Sequence, residues 1–257
     1  MSKRKRFIIS SLILASGLLV IANLPDLTTR YFGIGILSFL ALGLTIWSLR
    51  EGLDSAEWFM IPALPFLYTL AVAFFYFLLP PNPLTLITVV LSFVFGIYIL
   101  LLTENIFSVA AIRTIALLRA ASSVAFLLTL ITAFFLFDIV FSFKLAAWLN
   151  GILVFLVSLI LFVQSLWSVK LEKKLEPKTI SFSLFLSFAL GKFAFAISFW
   201  PVGISLASLF LTAVFYVLLG LSQAEFSGKL FKKTVREYLM VGVGIFITLF
   251  LTTRWGG

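Results

Sequence analysis

Apolar residues run through this chain in blocks of roughly twenty, interrupted by short polar stretches rather than alternating with them. The blocks predict helices over roughly 7–24, 31–49, 58–79, 84–103, 121–141, 145–169, 179–200, 202–221 and 237–253, each long enough to cross a ~30 Å hydrocarbon layer. Runs such as "FLVSLILFV" lack the polar–apolar alternation of a barrel strand. Backbone exposed to lipid must satisfy its hydrogen bonds within the segment, so the spans are helical. The fold class is therefore an all-α, polytopic transmembrane helix bundle of about nine spans. All 257 residues form one integral membrane domain.

The polar stretches define the joints. "PPNP" at 80–83 predicts a tight turn that stops one helix and opens the next. Pro177 ends the solvated "KLEKKLEP" segment in the same way. Pro62 and Pro65 fall inside the third span and predict a kink. Two pieces, 104–120 and 222–236, are too polar to span; they are expected as separate short helices in the inner interface.

Charge supplies direction. Fifteen of the 19 basic residues fall in the segments on the side of the N-terminus, among them Lys3, Arg4, Lys5, Arg6, Arg50 and the lysines of 170–178. Only Arg30, Lys144 and Arg254 fall on the other side, and Lys192 lies within a span. Cationic loops stay cytoplasmic, so the N-terminus is expected inside and the C-terminus outside. Tryptophan, which favours the boundary, agrees: Trp47, Trp58 and Trp167 fall at expected inner ends, Trp148, Trp200 and Trp255 at outer ends. "KRKRFIISSLILASGLLV" resembles a signal peptide, but no small-x-small cleavage site follows before Pro25; a retained first helix is expected. The expected home is the cytoplasmic (inner) membrane of a prokaryote; the lack of an N-x-S/T sequon fits it.

Composition then closes off chemistry. The chain is 62% hydrophobic and 11% charged, with a mean hydropathy of +1.20; soluble domains carry nearer ~25% charged residues. It has neither cysteine nor histidine, which excludes disulfides, thiolate chemistry, His-ligated metals and His-based acid–base catalysis. No G-x-S-x-G elbow and no Walker motif is present. Intramembrane aspartyl proteolysis needs two deep carboxylates, and only Asp138 is expected at depth. Glu51, Asp54 and Glu57 approach a metal-holding acidic group, but helix capping explains them equally well. No catalytic, cofactor-binding or metal site is assigned, and no enzyme is expected. The net charge of +9 is placed at membrane boundaries and does not imply nucleic acid.

The two halves echo each other. "GILSFL" at Gly35 recurs as "GILVFL" at Gly151, "WSLR" at Trp47 as "WSVK" at Trp167, and "YILL" at Tyr98 as "YVLL" at Tyr216. The offsets are 116, 120 and 118 residues, and Arg119 and Arg236 are 117 apart. They suggest a parallel 4+4 repeat: a first helix and turn (1–30), then units 31–143 and 144–257. Chance similarity between Leu-, Ile- and Phe-rich segments is the plain alternative.

Three groups of side chains stand out as candidate sites. Ser183, Ser187, Gly191, Ala194 and Ser198 form a stripe of small residues at helical spacing, the device by which membrane helices approach closely. Lys192 projects elsewhere, among Phe185, Phe188, Phe195 and Phe199. Its ammonium either snorkels to the outer surface or pairs with an anion inside the bundle; Asp138 and Asn150, at similar depth, are the candidate intramembrane partners. Arg113, Arg119, Lys232, Lys233 and Arg236 are candidate contacts to lipid headgroups, with Glu104, Ser108, Arg119 and Ser122 expected on one helical face. Two function classes follow. One is a non-catalytic scaffold or subunit that packs with membrane lipids, partner membrane proteins or further copies of itself. The other is a small carrier for an apolar, lipid-like or anionic molecule.

Overall fold

A computed structural model describes residues 2–50, 57–110, 117–172 and 174–253. The described residues form nine helices and no strand. These are α1 (Lys3–Ala22), α2 (Leu27–Leu49), α3 (Glu57–Tyr76), α4 (Pro83–Ala110), α5 (Leu118–Ser142), α6 (Ala147–Lys170), α7 (Pro177–Ile197), α8 (Ile204–Phe226) and α9 (Lys232–Thr252). Each is long and apolar enough to cross a membrane. The protein is an all-α bundle of such helices.

Local chemistry sets the helix ends. Asp26 caps α2 by accepting from the Thr29 backbone N–H at 3.1 Å. At the proline-rich turn Asn82 accepts from the Thr85 N–H at 2.7 Å, and Pro83 takes the first helical position, where its missing N–H costs nothing. Pro177 opens α7 likewise. Gly228, at φ +66°, supplies the left-handed residue after α8.

The separate interfacial helices expected over 104–120 and 222–236 do not form among the described residues. Residues 104–110 extend α4 and 118–120 open α5; 222–226 close α8 and 232–236 open α9. Helix propagation needs only one further backbone bond per residue once a helix is nucleated, so polarity alone does not end one. Residues 111–116, Arg113 among them, lie outside the described residues. Helix α3 runs unbroken through Pro62 and Pro65, and the Thr69 hydroxyl donates to the Pro65 carbonyl at 2.8 Å.

Packing divides the chain into two compact units, Met1–Thr132 with Leu171–Lys174, and Ala133–Lys170 with Leu175–Gly257; the boundary passes through α5. In the first, α2 packs on α1 and α3, and α4 packs on α1, α2 and α3. Ring contacts fix the register: Tyr31 meets Phe74 and Phe39 meets Phe66, so α2 and α3 are antiparallel. Tyr68 stacks on Phe93 and lies directly over Gly96, bringing α3 and α4 into close contact. In the second unit, α7 packs on α6 and α8, α6 also on α8, and α8 on α9. Phe162 and Phe137 both meet Phe215.

Candidate functional site

Two glycines bring the backbones of α6 and α7 close together in the second unit. A Cβ added at Gly191 would stand 2.9 Å from the Gly151 carbonyl oxygen and 3.1 Å from the Phe155 Cβ. Only a hydrogen at these positions lets α6 and α7 come so near. Ser183, Ser187, Gly191 and Ala194 are buried along this side of α7. Ser198, one residue past the helix, accepts a hydrogen bond from the Asn150 amide at 3.1 Å. The small-residue stripe thus carries an interhelical polar contact at its end. The serine hydroxyls add little across the interface: those of Ser187 and Ser198 donate to their own helix, to the Ser183 and Ala194 carbonyls.

Lys192 stands beside this contact and faces outward, exposed, in a groove of about 480 Å³. Trp148, Gly151, Ile152 and Phe155 of α6 form one wall; Phe188, Gly191 and Phe195 of α7 form the other. The ammonium lies 4.5 Å from the centre of the Phe188 ring, one turn back along α7. A lysine stem in a helix leans toward the N-terminus, so this side chain points away from the nearer end of α7 and does not snorkel to it. A cation over an aromatic face gains about 0.5–2 kcal/mol.

The three members of the expected polar cluster have separate partners. Asp138 is 6% exposed, and its carboxyl faces the hydroxyls of Ser205 and Ser208 in α8. Asn150, 4% exposed, is bonded to Ser198. Lys192 forms no ion pair with Asp138 among the described residues. The sequence placed all three at one depth; the face each presents is decided by helix rotation, which depth does not fix.

Of the expected headgroup contacts, Arg119 lies exposed in the first turn of α5, while Lys232, Lys233 and Arg236 lie exposed in the opening turns of α9. Arg113 is outside the described residues. Glu104 and Ser108 belong to α4, and Arg119 and Ser122 to α5, so the four do not share one helical face. The first two are buried.

Sequence reading missed a buried charge cluster in the first unit. Arg6, Glu57 and Glu104 are 4%, 1% and 0% exposed. The Arg6 guanidinium donates to the Trp47 carbonyl at 3.4 Å, Ser10 bonds Ser48 at 2.9 Å, and Lys3 donates to Asn105 at 3.5 Å. These bonds, with the antiparallel register of α2, α3 and α4, place the three charges at one level, where α2 ends and α3 begins. Arg6 read as one of four interchangeable anchors, and Glu104 as part of a surface segment. The usable signal was helical phase: Arg6, Ser10, Leu14 and Leu18 follow one another on a single buried face of α1.

Asp138 and this cluster hold most of the chemistry the fold buries. Among the described residues no three acidic side chains gather as metal ligands. Across residues 44–252 the sequence matches the model of DUF5656, a family described as proteins of unknown function. The chain belongs to the DUF5656 family. The match begins within α2 and ends with α9, so it takes in α3 to α9 entire, the Lys192 groove and, of the four buried charges among the described residues, Glu57, Glu104 and Asp138. No curated protein and no solved structure matches this DUF5656 chain.

Proposed function

We propose that this DUF5656 protein is a multi-pass, non-catalytic membrane scaffold or subunit that works by packing with lipids, with partner membrane proteins or with a second copy of itself. The observation that supports this most is α9. It is apolar enough to span, yet Leu249 is its one buried residue among those described. Contacts with α8 hold one edge: Tyr238 lies over Gly220 and beside Tyr216, and Val217 meets Gly242. Trp200 pins the far end by donating to Thr253 at 2.9 Å. The remaining surface, with Met240, Val243 and Ile247 exposed, is free to meet another helix. Gly244 lies open beside it, where close approach costs nothing.

Because the chain contains no cysteine, single cysteines report cleanly. Val243→Cys and Ile247→Cys are expected to yield discrete cross-linked species in native membranes, whereas Leu249→Cys is not. The scaffold reading fails if all three remain monomeric while the purified chain in liposomes moves an amphiphile between leaflets.

That second outcome is the carrier reading, and one pattern favours it. Helices α2, α3 and α4 pack on one another as α6, α7 and α8 do. Leu27 and Ala147, Glu57 and Pro177, and Pro83 and Ile204 begin 120, 120 and 121 residues apart. The buried hydroxyls of Ser38, Thr45 and Ser48 in α2 match those of Ser158, Ser165 and Ser168 in α6 at a constant 120. Duplicated helix units are common in carriers. An N-terminus inside and a C-terminus outside remain part of this proposal, supported by the distribution of lysine and arginine, as does a prokaryotic inner membrane, which the lack of an N-x-S/T sequon fits.

A further inference from the structure

We infer that the groove between α6 and α7 is a binding site for one anionic membrane lipid, whose phosphate meets Lys192 and whose acyl chain lies between Phe155 and Phe188. Lys192 sits in a span and faces the apolar surroundings; the ring of Phe188 is its one contact of electrostatic kind among the described residues. An aromatic face offsets only part of the cost of keeping an ammonium in hydrocarbon. Asp138, the one buried charge among the described residues of this unit, faces α8 and leaves the cation to an external anion.

Shape and depth then select a lipid. The groove is walled by apolar atoms along both helices, and Lys192 is its one charged member. A free phosphate finds one cation there and, besides it, only the indole N–H of Trp148 as a side-chain donor. A partner helix would need a carboxylate at that depth, itself expensive to bury. A phospholipid brings its own anion and fills the apolar wall with its chain. Trp148, in the first turn of α6, marks the boundary end. Lys192 lies five residues before the end of α7, about 7.5 Å of helix rise. Swung off Phe188 toward that end, its ammonium reaches the depth at which a headgroup phosphate can meet it. The Gly151–Gly191 contact forms the floor, so the site is built by the same close approach that joins the helices.

The test uses the full-length chain in nanodiscs of phosphatidylglycerol and phosphatidylcholine, followed by native mass spectrometry of the released protein. The wild type is expected to retain phosphatidylglycerol. Lys192→Met should retain it about tenfold less, roughly the effect of one charge-assisted contact, and Lys192→Arg should restore retention. Ile152→Trp, which fills the groove and keeps the charge, should also lower it. Excess inorganic phosphate should not compete. The inference is overturned if Lys192→Met retains as much phosphatidylglycerol as wild type, if phosphatidylcholine is held equally, or if phosphate displaces the lipid. A Lys192-dependent dimer free of lipid overturns it too. Thermal unfolding of each variant establishes that it is folded; if Lys192→Met is not, Lys192→Arg and Ile152→Trp decide, and full retention by Ile152→Trp overturns the groove assignment.

Discussion

Two glycines separate what a residue type does from what its position does. Gly35 has open space where a Cβ would go, and Gly191 has the carbonyl of Gly151. Alanine is the better helix former by about 1 kcal/mol, so Gly35→Ala should raise the unfolding midpoint in detergent slightly. Gly191→Ala must push two helices apart and is expected to lower stability by about 1–3 kcal/mol; equal midpoints for the two variants would dismiss the close-packing account. The stripe was legible in the sequence because packing between membrane helices selects for small size at fixed spacing. The buried charges were legible only in part: helical phase marks the face of α1 that carries Arg6, but not that α2 and α4 cover α1 or that Glu57 and Glu104 lie at its level. Arg6 is the one basic residue among the described buried side chains, and it shares its level with Glu57 and Glu104. Taking it away loses the bond to the Trp47 carbonyl and removes the buried cation at the level of two buried carboxylates. Arg6→Gln should cost about 3 kcal/mol or more, while Arg4→Gln, exposed in the same turn, should cost little. Side-by-side unfolding of the two variants decides it.

At the level of elements, helix type and order could be read from hydropathy, whereas helix ends could not. A hydropathy window sees the apolar layer, but a helix ends where a cap or a proline ends it. The start of α2 shows the consequence. Hydrogen bonds from the Thr29 hydroxyl and N–H hold the Asp26 carboxyl below its ordinary 3.8. A carboxyl whose value is lowered by folding stabilises at pH above its unfolded value, and that contribution is lost as pH falls through the lowered one. Amide exchange at Thr29, taken relative to its intrinsic rate at each pH, is therefore expected to speed up as the solution is acidified below about pH 4. In Asp26→Asn, which still caps but does not titrate, the acceleration should vanish. Helix α9 offers the opposite case, since Lys232, Lys233 and Arg236 crowd the positive end of its dipole. The arrangement is unfavourable within the helix, where among the described residues only the Lys233–Glu237 pair at 3.9 Å offsets it, and headgroups at that boundary would relieve it further under the proposed function.

For the whole molecule, nine crossings and one-sided charge make a single linked claim. Nine crossings, as proposed, would put the N-terminus and the turn between α6 and α7 on one side and the end of α9 on the other. The lysines and arginines of the turns are what supports this orientation. Helix α9 is the weakest point, because it is bound along one edge only and carries its direction in Lys229, Lys232, Lys233 and Arg236. Replacing these four by glutamine should leave α1 to α8 oriented as before and allow α9 to enter either way or to lie along the surface. A cysteine at Thr252, read with a membrane-impermeant maleimide on sealed cells, should be labelled almost fully in the parent. In the glutamine variant it should be labelled only in part, while a cysteine at Lys174 stays protected in both. Full labelling of Thr252→Cys after the replacement would mean that packing of Tyr238 over Gly220 orients α9. Its basic residues would then serve lipid contact alone.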